Sequence, residues 1–241
     1  MSDKFIIIEF RIHYNTQQGE EIYILGDNDD FGNWTSKKFK LDWNENNIWK
    51  KEYKMPTNNK NIKYKFVCAH LNTNDKNNFK WEECPNRILS VENLKNLRQE
   101  NEKYILEQIW NHFTVNCTLH YQAKSPNDSI FILGSDPALG DWGKNDKNNY
   151  KMELEKNDKN NNVVYKKKFN IKIEDKNKKE MELEYKYMIN NDFEKGMNRH
   201  VHILFNMDEI NDEVKFFYLT NPKEYKLLTN SIIEIEDTFI D

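Results

Sequence analysis

Two tryptophans stand where an exposed aromatic ring can contact a ligand. Trp34 follows a glycine-containing loop rich in Asp and Asn, which is a poor place for a core strand to begin. Trp81 lies between Lys80 and Glu82, directly after the polar stretch NTNDKNN. Because a tryptophan in a small domain is usually largely buried, these polar surroundings are informative. They predict that both indole rings lie at loop edges, where a flat ring can stack on a ligand.

The sequence contains no strong catalytic motif. The histidines at 70, 112, 120, 200 and 202 are scattered, and the pair His200 and His202 has no nearby Cys or carboxylate at the spacing of a zinc site. A phosphate-binding glycine loop and a GxSxG nucleophile motif are both missing. Acidic residues are too numerous to exclude a glycosidase carboxylate pair from the sequence alone. We therefore expect a protein that is not an enzyme and that needs no cofactor and no metal.

Charge and cysteine content indicate which partners and which cellular location to expect. The 241 residues include 36 basic and 40 acidic ones, for a net charge of −4. This mixed balance gives no field that would attract nucleic acid or an anionic membrane. The cysteines at 68, 84 and 117 form no CxxC pair, the chain starts with no signal peptide, and no long apolar run follows. We therefore expect a soluble, cytoplasmic protein.

The sequence repeats itself. Three blocks recur in the same order, at offsets of 108, 121 and 112 residues: 22–34 with 130–142, 62–67 with 183–188, and 81–87 with 193–199. Each copy is rich in short segments of alternating apolar and polar residues, such as IWKKEYKM at 48–55, which is the pattern of half-buried strands. The repeat predicts an all-β fold of two immunoglobulin-like antiparallel β-sandwich domains.

The predicted domains are 1–92 and 112–205. Between them, residues 93–111 belong to a stretch with apolar side chains at roughly helical spacing, which predicts a short helical linker. Residues 206–241 form an acidic C-terminal extension with two strand-like pieces, VKFFYLTN and SIIEIED, that we cannot assign.

Three of these segments resemble one family. GDNDDFGNW, the YKF strand with its lysine, and WEECPNR are similar to the starch-binding domain, carbohydrate-binding module family 20. The resemblance covers about residues 4–92 and, less specifically, 112–205. It implies a sandwich that binds α-1,4-glucan on its surface. It also implies a site in which Trp34 and Trp81 form a stacking platform, Lys65 donates to sugar hydroxyls, Glu82 accepts from them, and Asn86 does both.

The resemblance implies weaker sites as well. A second glucan site in the first domain maps to Tyr23 and Trp49, with Trp43 as a further loop aromatic. In the second domain a phenylalanine replaces one platform tryptophan, so a weak site remains at Trp142, Lys186, Phe193 and Asn198. Arg87 is expected to be a structural bridge and not a ligand contact.

Two functions from different classes stay open. The first is a non-catalytic protein that binds the α-glucan of starch or glycogen by stacking glucose rings on surface tryptophans. The second is a structural or interaction subunit of a large assembly, for example a cytoskeletal or ciliary one, that uses the sandwich to dock protein partners. The degenerate second copy and the unassigned tail favour the second function; the intact first copy favours the first.

Overall fold

The computed structural model of the chain describes residues 5–57, 61–72, 75–125, 127–144, 146–157, 162–205, 225–228 and 231–240. The chain divides into two compact units. The first contains residues 1–113 together with the short segments 172–178 and 228–231, and the second contains 114–171, 179–227 and 232–241. Within the described ranges the structure is almost entirely β, and the helical residues form only short 3-10 turns. The expected all-β class is confirmed.

Two sheets build the first unit. The strands are β1 (Phe5–His13), β2 (Glu20–Gly26), β3 (Phe39–Lys40), β4 (Asp42–Asn44), β5 (Ile48–Pro56), β6 (Asn61–His70), β7 (Lys80–Trp81), β8 (Arg87–Ser90), β9 (Arg98–Glu100) and β10 (Lys103–Ile109). One sheet has the order β4-β5-β1-β10-β9. The other has the order β3-β2-β6-β7, with β8 also paired to β6.

Aromatic side chains fill the space between these two sheets. Phe10 of β1 contacts Tyr64 of β6 edge-on, with ring centroids 5.4 Å apart. Phe31 packs against the same core at 5.9 Å from Phe10. All three side chains are fully buried. Because side chains alternate along β6, Tyr64 and Phe66 point into this core, whereas Lys65 and Val67 point to the opposite face of the sheet.

The second unit repeats this plan. Its strands are β11 (His112–Gln122), β12 (Ile130–Gly134), β13 (Glu153–Asn157), β14 (Asn162–Lys172), β15 (Glu180–Ile189), β16 (Asp192–Phe193), β17 (Arg199–Leu204), β18 (Tyr225–Leu227) and β19 (Ile232–Thr238). One sheet runs β13-β14-β11-β19 and the other β12-β15-β17-β18, with β16 on β15. The hydroxyls of Tyr185 and Tyr187 reach across to Asp237 of β19, at 2.8 Å each.

The repeated glycine marks a close backbone approach in both units. A Cβ atom on Gly26 would lie 2.6 Å from the carbonyl oxygen of Lys63, and one on Gly134 would lie 2.4 Å from that of Glu184. Real Cβ atoms do not tolerate such distances, so only glycine fits. In each unit the next residue then donates its N–H to that same carbonyl, at 3.0 Å. The glycine thus starts the loop that carries the tryptophan.

The helical linker predicted at 93–111 is wrong. A six-residue 3-10 helix covers Val91–Asn96, and the chain then forms β9 and β10, which complete the first sandwich. β10 is an inner strand whose Ile105 and Leu106 are both buried, as is the polar Gln108, so it lacks the alternation of an exposed strand. The tyrosine hydroxyl of Tyr64 donates to Gln108 across the core at 3.1 Å. Because Gln108 is buried through this contact, β10 does not show the alternation of buried apolar and exposed polar residues that predicts a strand.

The sandwiches are also not purely antiparallel, and the second domain does not end at residue 205. β1 pairs with β10 in parallel, and β11 pairs with β19 in parallel. The predicted SIIEIED strand is therefore β19, which belongs to the second unit instead of to an extension. The VKFFYLTN segment at 214–221 lies outside the described residues. Each unit is closed by a strand that pairs with the first strand of that unit.

Candidate functional site

The loop after β2 holds Trp34 in an unusual backbone conformation. Asn33 and Trp34 have φ angles of 47° and 58°, in the left-handed region that bulky residues rarely adopt. The N–H of Trp34 donates to the carbonyl of Gly26 at 2.8 Å, which closes the loop. Trp142 of the second unit shares this conformation, with a φ of 57°. The loop therefore sets the direction of the indole ring before any ligand arrives.

The two predicted platform tryptophans lie side by side. The ring centroids of Trp34 and Trp81 are 6.5 Å apart and the ring planes are inclined by 37°. Both side chains are half-buried and pack on a hydrophobic cluster on the outer face of the β2–β6 sheet, formed by Tyr23, Leu25, Val67, Ala69 and Phe79. Trp81 reaches this face because its backbone pairs with Val67 of β6. The structure thus brings Trp34 and Trp81 together as one aromatic surface.

Lys65 lies on the same outer face but is more buried than the sequence suggested. It pairs with Leu25 of β2 and is two residues from Val67, so its side chain points to the side of the tryptophans. Only 8% of Lys65 is exposed, and its Nζ makes one long hydrogen bond, 3.5 Å, to the carbonyl of Glu82. Burial lowers the pKa of this ammonium group, because desolvation disfavours the charged form.

Glu82 and Arg87 form a buried ion pair. Arg87 donates to both carboxylate oxygens at 2.8–3.1 Å, and its remaining N–H groups reach the carbonyls of Ile109 and His112 at 3.0 Å and the hydroxyl of Ser231 at 2.8 Å. One oxygen of Glu82 also accepts the N–H of Phe66 at 2.9 Å. The interpretation of Arg87 as a structural bridge is confirmed. Glu82 is 1% exposed and belongs to this bridge, so its carboxylate is not open to a sugar hydroxyl.

The residues of the predicted second site do not meet. Tyr23 lies in β2 and Trp49 in β5, which belong to different sheets, and they are only 6% and 5% exposed. Tyr23 instead supports the cluster below Trp34 and Trp81. Trp43, opposite Trp49 on the neighbouring strand β4, is 59% exposed. Tyr23 and Trp49 therefore do not form one binding surface. Asn86 is half-buried in the turn between β7 and β8.

The second unit keeps the framework but not the platform. Trp142 and Phe193 are 37% and 46% exposed, yet no ring contact joins them in the part of the chain that the structure describes. Lys186 donates to the carbonyl of Gly196 at 2.7 Å, and Asn198 donates to Glu184 at 2.7 Å. The buried ion pair recurs as Glu194 with Arg199, at 2.7–2.8 Å.

Two contributors to the first-unit surface were missed by sequence reasoning. Phe79 belongs to the cluster under the tryptophans, and its spacing of two from Trp81 on an extended segment could have indicated the shared face. Lys37 places its ammonium group 4.9 Å from the centre of the Tyr23 ring and 5.5 Å from that of Phe79. The sequence gives no sign of this cation–π contact, because the loop brings Lys37 there.

The comparison with protein families agrees with this geometry. The model of the family described as the starch binding domain matches the chain twice, over residues 5–100 and 112–212. The chain belongs to the starch-binding domain family. The tandem arrangement predicted from the internal repeat is thereby confirmed. Each match covers most of one compact unit, so both copies are starch-binding domains by family. No curated protein matches the chain.

Solved structures that are similar to the chain include several with low identity. The family 20 carbohydrate-binding module of a maltotetraose-forming amylase from Pseudomonas saccharophila STB07 is 17% identical, with a TM-score of 0.34, and the match covers 44% of this chain and 100% of that one. A glucoamylase from Hypocrea jecorina is 18% identical, with a TM-score of 0.34 over 44% of this chain. The chain spans only 17% of that glucoamylase.

Two further features of the starch-binding domains concern metals and membranes. Among the described residues, no three His, Cys, Asp or Glu side chains are placed together as metal ligands. Likewise, within those ranges no helix has the length and apolar character to span a membrane.

Proposed function

We propose that this protein binds α-1,4-glucan, of the starch or glycogen type, through the surface formed by Trp34 and Trp81. The observation that carries the proposal is the contact of two half-exposed indole rings on a chain that belongs to the starch-binding domain family. A glucose ring has an apolar C–H face and a rim of hydroxyls. Indole rings cover the face, and neighbouring polar groups bond the rim.

The polar side of the proposed site comes from Lys65 and Asn86. The ammonium group of Lys65 is buried with a single long hydrogen bond, so it retains donor capacity for a sugar hydroxyl. Asn86 offers both a donor and an acceptor from the turn after Trp81. The buried pair of Glu82 and Arg87 supports the strand that precedes this turn. The protein acts in this proposal as a binding module without catalysis.

The expected affinity of one such site is low. Two rings that cover ~200 Å² of apolar surface give about 5 kcal/mol before the costs of association. Those costs remove a large part of the gain, which leaves a dissociation constant of roughly micromolar to millimolar. A glucan chain offers many equivalent sugars, so a protein that engages it at more than one place gains affinity through multivalency.

Retention on polysaccharide tests the proposal directly. We expect the purified full chain to be retained on amylose resin and to be released by β-cyclodextrin, because both present the apolar face of α-1,4-linked glucose. The same resin without amylose is the control. A chain that passes through amylose as quickly as through the control resin, at site concentrations in the roughly millimolar range, contradicts the proposal.

The predicted cytoplasmic location stays a prediction.

A substitution at Lys65 is expected to weaken glucan binding without lowering the stability of the fold. Lys65→Met removes a poorly satisfied buried charge and keeps the length of the side chain, so we expect the free energy of unfolding to stay equal or to rise by about 0.5–2 kcal/mol. We expect glucan affinity to fall about five- to tenfold, because one charge-assisted hydrogen bond to a hydroxyl is lost. Urea unfolding and calorimetric titration with β-cyclodextrin measure the two effects. A variant that binds as tightly as wild type removes Lys65 from the site.

A further inference from the structure

The first unit contains a buried serine that comes from a distant part of the chain. Ser231 directly precedes β19 in the sequence, yet it belongs to the first compact unit, whose continuous part ends at residue 113. It is 4% exposed, and its φ of 58° lies in the left-handed region that few residues other than glycine adopt. Its hydroxyl oxygen lies 2.8 Å from Arg87, which stands 144 residues earlier. The core of the first unit thus includes a hydroxyl group from the far end of the chain.

The oxygen of Ser231 joins two side chains that cannot bond each other. Nη1 of Arg87 donates to it at 2.8 Å, and the amide nitrogen of Gln108 donates to it as well. A guanidinium group and an amide nitrogen are both donors, so they need an acceptor between them. The oxygen of the Gln108 amide is already engaged, because it accepts from the Tyr64 hydroxyl at 3.1 Å. Ser231 therefore completes the buried network around Arg87.

The second unit completes the same network with a residue of its own closing strand. Asp237 of β19 is the counterpart of Gln108. Each stands two residues before an aromatic residue, Phe239 or Trp110, whose N–H donates to a histidine carbonyl on the first strand of its unit. The carboxylate of Asp237 accepts directly from Arg199 at 3.1 Å. Where the second unit uses this carboxylate, the first unit uses an amide together with the hydroxyl of a distant serine.

The network holds the turn that carries the proposed sugar contacts. Arg87 is the first residue of β8, and it donates to Glu82, which directly follows β7. Trp81 and Asn86 are the sequence neighbours of these two residues, on the side of β7 and in the turn respectively. Leu228, which also belongs to the first unit, lines one small cavity together with Asn86. A shift of the guanidinium group would therefore be transmitted to both ends of the turn.

We propose that Ser231 is a positioning residue of the first-unit site: it fixes Arg87 and, through it, the turn that presents Trp81 and Asn86 to a ligand. The inference rests on the proposed function only for the identity of that ligand. Without the hydroxyl, two buried donors would face each other with no acceptor between them, which is costly and drives a rearrangement of the side chains. The glucan affinity of the first copy then depends on a residue that lies beyond most of the second copy.

Ser231→Gly in the full-length chain tests the positioning role. Glycine adopts a φ of 58° without strain, so the substitution removes the hydroxyl and preserves the backbone. We expect the affinity for β-cyclodextrin, measured by calorimetry, to fall about three- to tenfold, and the indole N–H signal of Trp81 to shift in ¹⁵N NMR spectra. Ser135→Gly removes a hydroxyl from an exposed loop residue of the second unit. It is the matched control and should change neither quantity.

A second substitution distinguishes positioning from a general loss of stability. Gln108→Glu gives Arg87 a carboxylate acceptor from β10, the arrangement that the second unit already has. In the Gln108→Glu background, we expect Ser231→Gly to change the affinity for β-cyclodextrin by less than about twofold. The Trp81 indole signal should stay where Gln108→Glu alone places it. Urea unfolding followed by tryptophan fluorescence verifies that each variant is folded under the conditions of the titration.

Two outcomes would overturn the positioning role. One is a Ser231→Gly variant with the affinity and the Trp81 signal of wild type, whatever its unfolding midpoint, since the hydroxyl then only stabilises the unit. The other is a loss of affinity that is equally large in the Gln108→Glu background. The proposed function fails separately, when the wild-type chain does not bind β-cyclodextrin. In that case the shift of the Trp81 signal in Ser231→Gly, and its absence in the Gln108→Glu background, still decide the role of Ser231.

Discussion

The Trp81→Ala variant is expected to lose most of the glucan affinity of the chain while keeping its fold. Each indole ring covers about 100 Å² of a glucose face in the proposed complex, which corresponds to about 2.5 kcal/mol or roughly a 70-fold change in dissociation constant. Because the proposed wild-type site is expected to be weak, the variant should bind β-cyclodextrin at the limit of detection by calorimetry. Trp34→Ala should have a similar effect, since its ring contacts that of Trp81.

Trp142→Ala is the matched control for this prediction. It removes the same side chain from a loop of the same left-handed conformation, but in the described structure Trp142 has no aromatic ring beside it. We expect its effect on cyclodextrin affinity to stay within about twofold. Circular dichroism verifies that all three variants remain folded. Equal losses of affinity in all three would show that the two units contribute alike, and would remove the special role of the paired rings.

Arg87→Met is expected to destabilise the first unit strongly. The substitution leaves the carboxylate of Glu82 buried at 1% exposure without its cation, and it also frees the carbonyls of Ile109 and His112. Loss of one partner from a buried ion pair typically costs about 3–5 kcal/mol of unfolding free energy. Five of the six tryptophans belong to the first unit, so urea unfolding followed by tryptophan fluorescence reports mainly on that unit.

Two further variants make this result specific. Arg199→Met removes the equivalent arginine from the second unit, so the fluorescence transition of the first unit should keep its midpoint. The double variant Glu82→Gln/Arg87→Met removes the buried charge that the single substitution leaves behind, and it should recover part of the lost stability. If Arg87→Met lowers the unfolding free energy by less than about 1 kcal/mol, the ion pair does not stabilise the unit as we infer.

Local sequence patterns were sufficient for the long strands and for the partial exposure of the two platform tryptophans. The alternation in IWKKEYKM predicted β5, and the polar surroundings of Trp34 and Trp81 predicted rings that are not fully buried. These predictions succeeded because every second side chain is buried in a strand that faces a core on one side, so apolar and polar residues alternate along its sequence. The same logic could have found Phe79, which lies two residues before Trp81.

Glu82 and Lys65 show where such reasoning stops. Both are charged residues beside strand aromatics, and the family resemblance implies a sugar contact for both. The structure buries Glu82 against Arg87, the first residue of β8, while Lys65 is buried on the outer face with a single long hydrogen bond. Sequence alone cannot separate these cases, because the burial of a charge depends on which groups approach it in the folded chain.

The sequence by itself determined the tandem repeat and the all-β character, because these depend on spacing within short segments. The resemblance of three segments to known starch-binding domains indicated the family. Only the tertiary structure decided that β10 and β19 close the two units. Each of them pairs in parallel with a strand about 100 residues earlier, and no feature of its own sequence identifies that partner. It also decided that Trp34 and Trp81 share one surface. Those facts depend on side chains that meet across sheets and loops.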